Sequence, residues 1–205
     1  MLLKTVPGVQ NNQDTTPGFW RGGKQGEGLV SELHARYYEQ TYRGNVYFAA
    51  TAALVTTTVG LATTYTGLVL SNPITSIVNL VLNKASMMQS VIQATQVEAF
   101  AIATGNNAAT NVTHTTPVTP RSCLVGSGKT PVALADVSAT LPTAPFYTMF
   151  VTNTGTIAAD STGIQVVDIE GSIILQPGAY ALWVTPAQAS VAGMWFAFQW
   201  EEVPI

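Results

Sequence analysis

Apolar positions along this chain recur mostly with a period of two, in short runs separated by Gly, Pro, Asn and Ser. The alternation is sharpest near the end of the sequence. In an extended segment over 194–200, Met194, Phe196, Phe198 and Trp200 share one face, and Trp195, Ala197 and Gln199 take the other. A row of such large side chains needs an opposing sheet to bury it. Two shorter strands precede it, at 172–175 and 180–184, broken by Pro177-Gly178 and by Pro186 with a run of small residues. Upstream, the same pattern predicts strands over 46–58, 66–70, 76–84, 100–104, 132–137, 146–152 and 164–169. Residues 87–97 cross between strands, and 106–121 form a polar loop with two prolines. One short helix is expected over 29–42, where Leu29, Leu33 and Tyr37 are four apart and Gly44 stops the run. There is no βαβ alternation and no internal repeat. The chain reads as all-β: a two-sheet β-sandwich or jelly roll.

Residues 1–28 keep no period, with Pro7, Pro17 and six glycines among many polar residues. Alone they cannot bury enough apolar area to offset their ordering entropy. Phe19 and Trp20 stand in their middle, and two large rings there suit an extended arm ordered by a neighbouring surface. The expected organisation is an arm and junction at 1–43 and a sandwich body at 44–205.

Composition sharpens this division. Charged residues make up 9% of the chain against 47% hydrophobic, where about 25% charged is usual for soluble domains. A surface of uncharged Thr, Ser, Asn and Gln resists association poorly, which favours one covered by partners. Residues 1–43 hold five of the eight Lys and Arg and four of the eleven acids, so the arm is mildly basic and the body acidic. The net charge of −3 gives no footprint for nucleic acid. No charge occurs between Gly44 and Asn83, yet seven threonines within 46–70, with Gly60, Gly67 and Pro73, interrupt that stretch, so no membrane span is expected. The single Cys123 allows no internal disulfide, and no signal peptide is expected at Met1-Leu2-Leu3-Lys4.

No motif rises to catalysis or metal binding. LVGSGKT at 124–130 lacks the first glycine of a phosphate loop, Cys123 standing there, and Pro131 follows; it reads as a glycine turn with Lys129 at its tip. Asn111-Val112-Thr113 matches a glycosylation acceptor but has no secretory context. His34 and His114 have no zinc spacing, and no serine shows a partnered base. Asp168 with Glu170 reads as a solvated face, and Glu201-Glu202 as a surface strand end. No cofactor is expected.

Two segments together resemble a family. SELHARYYEQTYRGNVYFAAT at 31–51, with LQPGAYALWV and FQWEEVP within 174–204, resembles jelly-roll capsid decoration (cement) proteins of tailed bacteriophages, or closely related small virion proteins. The resemblance implies a non-enzymatic structural protein on the capsid exterior, assembled in the host cytoplasm. It would bind the major capsid protein and form a homo-oligomer, a trimer in preference to a dimer. It implies an attaching arm that uses Phe19 and Trp20 in pockets between shell subunits, with Arg21, Lys24, Arg36 and Arg43 against acidic shell surface. The closing hairpin, with Tyr180, Trp183, Met194, Phe196, Phe198 and Trp200, would complete the core and present a self-association surface. A tail, neck or fibre component is the alternative in the same class. A receptor- or carbohydrate-binding module is the alternative outside it, with Trp183 and Trp195 facing away from the core and the 106–121 loop as its site.

Overall fold

The computed structural model describes residues 36–89, 98–154, 164–186 and 193–205. The chain divides into two units at Tyr38 and Glu39, and the second, Glu39–Ile205, carries both sheets. Helix α1 (Tyr38–Arg43) leads to β1 (Val46–Ala50), β2 (Thr64–Ser71) and β3 (Val78–Gln89). Strand β4 (Glu98–Asn106) is followed by the two-residue strands β5 (Thr113–His114), β6 (Pro117–Val118) and β7 (Arg121–Ser122). Then come β8 (Leu134–Thr140), β9 (Phe146–Thr154), β10 (Ile164–Asp168), β11 (Ile174–Leu175), β12 (Ala179–Val184) and β13 (Met194–Pro204).

These strands form two antiparallel sheets packed face to face, a β-sandwich. One runs β10-β3-β13-β1-β7 with β11 also on β3, and the other β5-β8-β2-β12-β4-β9 with β6 also on β8. The consecutive long strands β3 and β4 lie in different sheets and pair with β13 and β12, the wrap used by jelly rolls. The core between the sheets is centred on Trp183, whose ring stacks on Phe196 at 5.5 Å and Phe198 at 6.0 Å. Met194, Phe196, Phe198 and Trp200 all point inward, as the alternation predicts. Each such burial contributes roughly 1.5–3 kcal/mol. A bulge at Asn83 keeps β3 in phase: Leu80 and Leu82 face the core before it, Ala85 and Met87 after it.

Local chemistry explains the ends of the elements. Gly44, at φ +75°, closes α1 with bonds from Gly44 N to Thr41 O (2.9 Å) and Asn45 N to Gln40 O (3.0 Å). That is the paired C-terminal arrangement glycine favours. Of the helix expected over 29–42, residues 38–42 are helical and 36–37 form a turn, while residues 29–35 lie outside those described. Strand β1 stops at Ala50 instead of running to 58 because the connection must change sheets. Val55 bridges Met194 in one, and Val59 bridges Thr185 beside β12 in the other. The loop expected over 106–121 also carries three two-residue strands, β5 and β6 pairing with β8 and β7 with β1.

Trp183 is a correction. It faces the core at 0% exposure instead of facing away. Strand β12 is buried on both sides, with Ala181 and Trp183 between the sheets. Tyr180, Leu182 and Val184 lie in a second cluster, with Tyr65, Val69 and Val112. A strand apolar on both faces gives no phase by which to choose its inner side.

Candidate functional site

Phe19, Trp20, Arg21 and Lys24 lie outside the described residues. Arg36 and Arg43 are exposed, and Arg43 Nε donates to Glu39 Oε1 at 2.8 Å one helical turn away. An exposed pair of that spacing contributes only about 0.3–0.5 kcal/mol and leaves the guanidinium at the surface. The backbone carbonyl of Arg43 accepts from Lys129 Nζ. This contact ties the glycine turn, where Gly126 and Gly128 have φ +89° and +70°, to the helix end.

The six hairpin residues are buried, between 0% and 2% exposed. They build the core, as expected, but their expected second role needs correction. Side chains enclosed within one chain offer nothing to a second copy.

Two buried carboxylates went unrecognised in the sequence. Glu202, expected at the surface, is 9% exposed, and its carboxylate accepts from Val132 N (2.9 Å) and Ala133 N (3.0 Å). It continues the inward row 194, 196, 198, 200 by one more step. Asp136 is fully buried and accepts from the backbone N–H groups of Thr116 and Ser138. Beside it lies His114, with Nε2 at 3.0 Å from Ser71 Oγ and Nδ1 at 3.5 Å from Asp136 Oδ2.

Ser71, His114 and Asp136 thus stand in the order hydroxyl, imidazole, carboxylate. That order resembles a nucleophile with its base and orienting acid, but the surroundings argue for a structural staple. The imidazole–carboxylate approach is an ion-pair distance, too long for a hydrogen bond. Ser71 is 4% exposed within the β2 ladder, and its Oγ also lies 3.5 Å from Leu134 O. A cavity of about 250 Å³ lined by Thr104, Gly105, Phe146, Ile174 and Pro177 includes none of the three. Burial pushes the His114 imidazole below its ordinary value, against the opposing pull of Asp136. The group ties β5 to β2 and β8. Its members are 43 and 22 residues apart in sequence, so no local motif announces it.

Among the described residues no three His, Cys, Asp or Glu side chains converge as a metal site, and no helix is long and apolar enough to cross a membrane. Asp168 pairs with Lys84 at 3.1 Å, while Glu170 sits in a turn at φ +53°.

The outer face of the six-stranded sheet is more distinctive. Register sets its side chains in rows: Ile164, Met88 and Trp195 first, then Val166, Ser86, Ala197 and Ala50. The third row is Asp168, Lys84, Gln199, Phe48 and Arg121. Ile164 and Val166 are 68% and 58% exposed, and Trp195 and Phe48 are part-exposed. Trp195 faces away from the core, as the alternation predicts.

No family model, curated protein or solved structure matches this chain.

Proposed function

We propose that this chain is a non-enzymatic structural protein of a tailed-bacteriophage particle. It decorates the capsid exterior and stabilises the shell by bridging neighbouring subunits of the major capsid protein. The observation that carries this reading is spatial. The two segments that hold the resemblance are far apart in sequence, yet β1 lies against β13 from Val46 opposite Glu201 to Ala50 opposite Ala197. Of the resembling residues, those of β1 and β13 thus lie side by side in one sheet, while LQPGAYALWV supplies β12 of the other; residues 1–43 are read as the attaching segment. The low charge of the body and the exposed Phe146 and Phe150 on edge strand β9 support a surface covered in an assembly. Many copies on one shell recover by avidity what an ordering arm loses in affinity.

The test is cosedimentation of the purified chain with shells that lack it. Binding is expected, and it is expected to fall about tenfold or more when Phe19 and Trp20 are both replaced by Ala, given the weight of aromatic anchors. A folded chain that leaves such shells unbound overturns the reading. Part-exposed Trp195 beside an apolar sheet face favours a second reading, a carbohydrate- or receptor-binding module. Glycan binding lost in Trp195→Ala would establish it. Trp183, being core, has no part in it.

A further inference from the structure

We propose that the outer face of the six-stranded sheet is a self-association surface, on which a second copy of this chain packs about a two-fold axis parallel to the strands. The inference concerns the folded body alone and is independent of the virion reading.

The occupant follows from the register. The face has two uncharged rows and a third with an acid on one edge strand and a base on the other: Asp168 on β10, Arg121 on β7. An axis parallel to the strands keeps rows level and exchanges left for right. Strand β10 then lies over β7 of the second copy, and Asp168 meets its Arg121, twice by symmetry. In the same row Lys84 lies over the second copy's Phe48, a cation over an aromatic ring. On the axis itself stands β13, the middle strand of the row, where Ala197 meets Ala197 and Trp195 meets Trp195. Small Ala197, Ser86 and Ala50 let the sheets approach to the ~10 Å of a packed pair. The alternative axis, across the strands, lays β10 over itself and brings no opposite charges together.

One residue opposes the arrangement. Glu201 lies one row further along β13, beside Val81 and Val46, and meets its own copy on the axis. A two-fold face of this kind selects a dimer over the trimer that the resemblance prefers.

Sedimentation of the full chain over a dilution series measures the mass, with circular dichroism reporting the fold of each variant. A reversible dimer is expected. Ala197→Glu sets two carboxylates on the axis and is expected to weaken it about tenfold or more. Asp168→Arg and Arg121→Asp are each expected to weaken it, and the double exchange to restore it to within about threefold of the parent. Glu201→Gln is expected to tighten it. A monomer or a trimer at every concentration overturns the proposal. So does a dimer indifferent to Ala197→Glu, or one that the double exchange leaves as weak as the single changes. If Ala197→Glu fails to fold, the charge exchange decides.

Discussion

Glu202 stands beside Glu201 in a sequence that reads as a surface end, yet the two acids part ways. Period-two alternation puts Glu202 in the row of Trp200, and two backbone N–H groups receive its carboxylate there. Replacing it by Ala leaves the buried Ala133 N–H unpaired and the part-buried Val132 N–H to solvent. The expected loss is about 1–3 kcal/mol of stability, the cost of one unsatisfied buried group. Urea unfolding would read this as a lowered midpoint with an unchanged slope. His114 makes a pH prediction. Burial holds its folded value below the ordinary 6.5, so the unfolded chain takes up the proton first and stability falls as pH drops through about 6.5. Glu201 acts oppositely and lower. Burial raises its carboxyl above the usual range, which returns some stability as pH falls toward about 4.5. Unfolding midpoints at about pH 7.5 and 5.5 should therefore decline in the parent and flatten in His114→Gln. An equal decline in both would show that another group carries the slope.

At the scale of elements, alternation located most strands because their inner and outer residues differ in kind. Strand β13 shows this, with four of its inward positions, Met194, Phe196, Phe198 and Trp200, legible from type alone and only Glu202 missed. At β12 alternation found the strand but not its inner side, because both faces are apolar, and it missed β5 to β7, two-residue strands fixed by pairing with β8 and β1 instead of by their own residues. The Ser71, His114 and Asp136 group was illegible for the same reason: three strands bring it together, and no segment contains it. Glycine pairing is another feature of register. Gly105 lies opposite Tyr180 on β12, and the tyrosine hydroxyl occupies the space a Cβ would need while donating to Thr143 O at 2.6 Å. Gly105→Ala is expected to cost about 1–3 kcal/mol by overpacking. The cost should shrink in a Tyr180→Ala background, since the two residues share one space. Additive losses in that double-mutant cycle would refute the contact as the cause.

For the whole molecule, composition carried more than motif. A chain with 9% charge and no visible catalytic spacing is expected to work through its surfaces; of its buried polar groups, Ser71, His114 and Asp136 hold edge strand β5 and Glu202 anchors the segment before β8. The sandwich was legible because a run of large inward side chains demands a second sheet. The apolar outer rows were not, because they exist only once β10, β3, β13, β1 and β7 are laid side by side. On the proposed reading, the body associates through its faces and residues 1–43 attach it. The central claim of that reading is attachment to a capsid exterior across subunit boundaries. Cryo-electron microscopy of the native particle, at side-chain resolution, tests that most directly. The account predicts sandwich-shaped density outside the shell, astride neighbouring capsid subunits, with Phe19 and Trp20 seated between them. Density for this chain confined to the tail or neck, or a particle without it, would contradict the account.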